Sequence, residues 1–192
     1  MRMPLAVLFF SIQVGCATSP PPAASAPQSP NPQASAVAAD KQPPQQPAVV
    51  AIPNVQNPLP GVVTGGQPSE DNLRQAKALG YHTVISLLPE ADSAAEAESV
   101  RKLGMRFVSI PISGAADLGL ANAQKLAAAM DAGDSKPLIL HCGGGNRAGA
   151  LLALKVFYVD HASAEDALAL GERAGLRSLK SAIEDRMRAA AP

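Results

Sequence analysis

Beyond residue 59, hydrophobic positions fall in two alternating rhythms: short unbroken runs, and longer stretches in which they return every three or four residues. Unbroken runs bounded by glycine or proline predict strands, and the 3.6-residue rhythm predicts amphipathic helices. GVVTGG, from Gly61, predicts a short strand and a turn. Ser69 and the acidic pair Glu70 and Asp71 then predict the start of a helix that Gly80 closes. Residues 83–88 predict a strand stopped by Pro89. Ser93 and Glu96 form a capping-box pattern for a helix running to Leu103, with Gly104 as its stop. A further strand, residues 106–110, ends at Pro111. Ala123, Leu126, Ala127 and Met130 share one face of another helix. Residues 138–140 form an apolar strand, and residues 150–159 are apolar almost all round, as in a buried helix. Two last helices are predicted after Ser163 and Ser178. The alternation predicts an α/β domain, residues 59–192, with βα units on a central, mostly parallel sheet.

The pattern before residue 59 is different. Residues 17–60 hold twelve of the eighteen prolines, no glycine, and only Asp40 and Lys41 as charges. Such a stretch buries too little apolar surface to offset its ordering entropy, so residues 17–58 are expected to be a disordered, partly polyproline linker. At about 3.1 Å per residue it would reach roughly 130 Å when fully extended. Residues 1–16 have Arg2 as a short basic start, then an apolar run from Leu5 to Phe10 that resumes at Ile12. That run is shorter than the roughly 18–20 residues of a membrane-spanning helix and reads as a secretory signal. Cys16 follows Gly15 as in bacterial lipoproteins, although Gln13 stands where a leucine is usual; cleavage after Ala17 is the alternative. The expected setting is the bacterial periplasm or cell envelope, with a membrane anchor through lipid on Cys16.

Charge and composition narrow the partners. The formal net charge is zero, with no block of like charge, which argues against a nucleic-acid partner. Three scattered histidines and one cysteine in the domain give no metal-ligand spacing, and no glycine-rich nucleotide motif is present, so no metal and no cofactor are expected.

The chemistry lies in His141 to Ala150, HCGGGNRAGA. A strand, a glycine-rich turn and a buried helix would put Cys142 at a strand end and Arg147 at a helix N-terminus. Free backbone N–H groups and the helix dipole there favour an anion. Gly143, Gly144 and Gly145 let backbone approach a ligand closely, and the same field favours a thiolate at Cys142. Arg147 supplies a planar fork for a tetrahedral oxyanion. Asn146 is expected either to brace the loop or to tolerate an unusual backbone angle, and His141 to support the loop or serve structure alone.

These residues resemble the cysteine-dependent phosphatases, whose loop runs His-Cys, five residues, Arg, then Ser or Thr, then Gly. GGQPSEDNLRQAKALGYHTVISLLPE, FVSIPIS and HCGGGNRAG follow the order of small bacterial dual-specificity-like phosphatase domains of the protein tyrosine phosphatase superfamily. Those fused to NAD kinase and the phosphatase-like domain of beta-lactamase-hydrolase-like proteins are similar. The resemblance implies a phosphatase-like three-layer fold, a phosphorylated protein or small molecule as substrate, and a phosphocysteine intermediate on Cys142. Its acid would be Asp117 in the loop after Pro111. A solvated or helix-capping aspartate is the alternative there, with Glu90 and Asp92 as substitutes. Three positions depart from the pattern: four residues, not five, separate Cys142 from Arg147; Ala148 has no hydroxyl; and Leu88 stands where relatives often carry arginine. The short spacing is shared with rhodanese-like sulfurtransferases, which would carry a persulfide on Cys142. An inactive anion-binding domain is the third alternative. His82 and His161 are expected at the surface.

Overall fold

The computed structural model describes residues 49–190. The signal-like residues 1–16, with Cys16, and most of the 17–58 segment lie outside the described residues. Five strands form one sheet in the order β1-β2-β5-β3-β4: β1 (Gln56–Leu59), β2 (Val62–Gly65), β3 (Thr83–Ser86), β4 (Arg106–Ser109) and β5 (Leu138–His141). All neighbours are parallel except the antiparallel β1–β2 pair. Among the described residues, no helix is long and apolar enough to cross a membrane.

Among the described residues six α-helices cover the sheet: α1 (Glu70–Ala78), α2 (Glu90–Lys102), α3 (Leu120–Asp131), α4 (Asn146–Tyr158), α5 (Ala164–Arg173) and α6 (Lys180–Ala190). Because side chains alternate along a strand, β5 feeds two cores. Ile139 packs with Val63, Val84, Leu73, Ala76 and Val100 beneath α1 and α2. Leu138, Leu140 and Cys142 join the larger core on the other face, together with residues of α3 to α6 that include Ala148, Leu151 and Leu152 of α4. This is a three-layer α/β arrangement around a mostly parallel sheet.

Local chemistry explains most element ends. Ser69 caps α1: its hydroxyl accepts from Asn72 N–H at 3.2 Å while Asn72 Oδ1 accepts from Ser69 N–H at 3.0 Å. Ser163 likewise caps α5 through Asp166 N–H at 3.0 Å. Two predicted starts move. The Ser93/Glu96 capping box is absent, because α2 already begins at Glu90 behind Pro89; both residues are buried inside the helix, on the face that carries Ala97 and Val100. Ser178 accepts from Asn146 Nδ2 at 2.8 Å, and α6 begins two residues later.

The folded body also begins earlier than residue 59. Val50 and Ile52 are buried in the smaller core, and Gln56–Leu59 pairs with β2. Hydrophobic contact and ladder hydrogen bonds order these residues despite the prolines around them.

Candidate active site

β5 lies between β2 and β3, and its register aligns Gly65, His141 and Ser86 across the three strands. The chain runs outward from β2 through β3 to β4 before returning to fill the centre. Ligand crevices form at the carboxyl ends of strands at such a reversal of order. Cys142, the residue after β5, therefore stands where the ends of β2, β5 and β3 meet. Its N–H donates to Gly65 O at 3.3 Å, and its side chain is buried.

The loop turns back through Gly145, whose φ of +94° is left-handed, and α4 starts at the next residue. Gly145 N–H donates to Cys142 Sγ at 3.1 Å. The head of α4 is braced by Asn146, whose Oδ1 accepts from Arg177 N–H and whose Nδ2 donates to Ser178 Oγ, both at 2.8 Å. Arg147 reaches the neighbouring strand ends, donating through Nη1 to Ile112 O and, at 3.5 Å, to Leu87 O. Its Nη2 lies 3.7 Å from where a Gly143 side chain would begin, so the guanidinium edge flanks the loop. Gly143 and Gly144 are exposed, whereas Ala148 is fully buried. The donor nearest the sulfur is thus a backbone amide, with no hydroxyl at position 148 to share the role.

Asp117 lies in a 3₁₀ turn, Ala115–Asp117, within the loop that Ile112 begins. Its Oδ2 accepts from Ser113 N–H at 2.7 Å and Gly114 N–H at 3.3 Å, and Asn122 Nδ2 donates to its carbonyl at 2.7 Å. Arg186 of α6 donates to Ala115 O at 2.6 Å. This aspartate is a local cap as well as a group near the strand ends that hold Arg147. Glu90 and Asp92 are exposed in the first turn of α2, and Leu88 is buried. His82 and His161 are exposed.

His141 does not join the loop, because alternation along β5 turns its side chain to the face opposite Cys142. There His141 Nε2 lies 2.8 Å from Glu96 Oε1, with the side chains 0% and 4% exposed. The separation is that of a hydrogen bond, yet neither ring nitrogen has an aligned partner among the described residues. The contact is a close carboxylate–imidazole pairing, not an aligned bond. Ser86 Oγ donates to Glu96 Oε2 at 3.5 Å. Among the described residues, no three His, Cys, Asp or Glu side chains cluster as a metal site.

Two contributors are not evident from the sequence pattern. Glu96 fits a capping box by sequence, although its spacing from Ser93, Ala97 and Val100 marks a buried stripe. Asn54 falls within the stretch whose composition predicts a linker, yet its Nδ2 donates to Gly144 O at 3.2 Å. The signal for ordered chain there was the run Val49, Val50, Ala51, Ile52 within the proline-rich segment.

No curated protein matches the chain. Among solved structures, a candidate phosphatase of DUF442 from Shewanella putrefaciens is 21% identical, covering 72% of this chain and 93% of its own, with a TM-score of 0.54. A candidate phosphatase from Neisseria meningitidis is 17% identical, covering 71% of this chain and 97% of its own, with a TM-score of 0.59. The core catalytic domain of the PP-IP phosphatase Siw14 from S. cerevisiae is 15% identical, covering 72% of this chain and 87% of its own, with a TM-score of 0.53. At these identities the likeness establishes a shared fold. Residues 55–188 match a family of phosphatases, a span of more than half of the 192 residues. The chain therefore belongs to the family described as DSP-PTPase phosphatase fused to NAD+ kinase.

Proposed function

We propose that the chain hydrolyses phosphomonoesters of a protein or small molecule, with Cys142 as the nucleophile. The observation that carries this reading is the Gly145 N–H donated to Cys142 Sγ at 3.1 Å at the head of α4. A sulfur met by a backbone amide at the positive end of a helix is placed where negative charge on it would be stabilised during attack and departure. The thiolate attacks phosphorus, so that a P–S bond forms as the ester P–O bond breaks. The Asp117 carboxyl gives its proton to the departing oxygen. With Oδ2 held by two amides, Oδ1 is the oxygen free to carry that proton. The resulting carboxylate then takes a proton from water, the water oxygen attacks phosphorus, and the P–S bond breaks to return the thiolate. Arg147 and the amides of Gly143, Gly144 and Gly145 hold the equatorial oxygens. With Ala148 in place of a hydroxyl, the Gly145 N–H is the donor that steadies the departing sulfur.

Family membership favours this chemistry over sulfur transfer, for all that the four-residue spacing suits both. Phosphate release from an aryl phosphate by the reduced full-length chain, beside Cys142→Ser, tests it. A fall of at least about a thousandfold in the variant is expected; equal release from both proteins would rule the cysteine out. In the same assay Asp117→Asn should slow only substrates with poor leaving groups. Unchanged rates would move the acid to Glu90 or Asp92.

A further inference from the structure

Residues 50–54 precede the span that matches the family, and Asn54 at their end reaches the Cys142 loop. This strap is held from two directions. Asn72 of α1 donates to Ala51 O at 2.7 Å, and Ala51 N–H donates to Gln75 Oε1 at 3.2 Å. On the other side Gly66 N–H donates to Pro53 O at 2.6 Å, and a side chain at Gly65 would begin 2.7 Å from Ile52 Cδ1. The strap thus lies against the end of β2. Gly66 and Gly144 are antiparallel bridge partners there, which brings the loop under Asn54.

Asn54 sits at φ +52°, a left-handed conformation that asparagine tolerates better than most side chains. Its amide faces Gly144 O, and because a carbonyl only accepts, the facing atom is the nitrogen. Gly144 C=O and Gly145 N–H belong to one planar trans peptide, so they point in opposite directions. One end of that unit is held by Asn54 at 3.2 Å, and the other donates to Cys142 Sγ at 3.1 Å.

Turning this peptide over would aim a carbonyl oxygen at the sulfur and repel a thiolate. The rotation changes ψ of Gly144 and φ of Gly145, and glycine populates both signs of φ about equally. Two glycines therefore leave the choice of orientation to contacts from outside the loop. We propose that Asn54 is a positioning residue that selects this orientation and so aims the Gly145 N–H at Cys142 Sγ. Its effect on turnover rests on the phosphatase reading above, whereas its effect on the thiol does not.

The test is the rate at which iodoacetate carboxymethylates Cys142 at pH 7 in the full-length chain. It is followed by the mass of the Cys142 peptide, so that Cys16 does not contribute, and run well below each variant's melting midpoint. Asn54→Asp keeps the shape but replaces the donor with a carboxylate; Asn54→Gly removes the donor and accepts the left-handed backbone. Both should slow carboxymethylation by about fivefold or more, Asp the further. Rates within about twofold of wild type in both variants would overturn the proposal. A loss confined to Asn54→Asp would also overturn it, by assigning the effect to the new charge. Fast, Asn54-dependent alkylation without phosphate release would leave the positioning role standing and remove the phosphatase reading. Cys142-dependent phosphate release with alkylation indifferent to Asn54 would do the reverse.

Discussion

The two faces of β5 end in opposite ways. On the side of α3 to α6, Leu138, Leu140 and Cys142 meet an apolar core to which α4 contributes Ala148 and Ala150 to Leu154, and the sulfur stands at the strand end. On the side of α1 and α2, Ile139 is followed by His141, which is buried against Glu96. Both faces are closed to water, yet one is stabilised by close contact between helices and the other contains a polar pair whose members depend on each other. Burial alone thus says little about how a face responds to change. A polar pair fails when one member is removed, and a close helix contact fails when a single methyl group is added.

The largest effect should come from breaking the pair. His141→Leu leaves Glu96 buried, with Ser86 Oγ at 3.5 Å as its one side-chain hydrogen-bond donor among the described residues. Leaving a buried polar group without its partner costs about 1–3 kcal/mol, whereas replacing both by apolar groups of similar shape can be nearly neutral. Urea unfolding should therefore show a steep loss in His141→Leu and recovery of most of it in Glu96→Met/His141→Leu. If the double variant were as unstable as the single one, the pair would not be what distinguishes this face.

The opposite face should respond to Gly149→Ala. A Cβ at Gly149 in α4 would lie 2.3 Å from Leu176 N, 2.7 Å from Gly171 O and 2.9 Å from Gly175 C. All three are backbone atoms that cannot rotate away, so α4 must shift from the α5 end. Alanine gains roughly 1 kcal/mol in helix propensity, but overpacking of this kind costs about 1–3 kcal/mol. A net drop in the urea midpoint is expected. A rise would mean that the contact between α4 and α5 yields more easily than the close approach implies.

The sequence was informative where local chemistry dictates structure. Ser69 and Ser163 marked helix starts, and the apolar run before His141 marked the central strand. The glycines between Cys142 and Arg147 marked a loop closed by a helix head. What remained hidden depends on contacts distant in sequence. Glu96 reads as a cap partner because Ser93 stands three residues before it, and only the packing of α2 on the sheet shows that it meets His141, 45 residues away. Asn54 lies 90 residues from Gly144, in a segment whose prolines suggest disorder. No periodicity encodes either contact. Asp117 was legible as a loop residue, but its two amide bonds come from the turn that it closes.

The smallest effect belongs to Tyr81, which ties the α1/α2 face to the strap. Its side chain is 2% exposed, and burial pushes the phenol above its ordinary range, with a bond to the Val50 backbone opposing this in part. The neutral phenol is therefore favoured in the folded chain. Above about pH 10 the unfolded chain releases this proton first, so it binds fewer protons than the folded chain and stability falls as pH rises. Below that pH the phenol is neutral in both states and contributes no slope. Tyr81→Phe removes the titration, so urea midpoints between about pH 9 and 11 should fall less steeply than in wild type. Parallel alkaline limbs in the two proteins would show that the phenol reaches water, and that the smaller core is open where the strap crosses it.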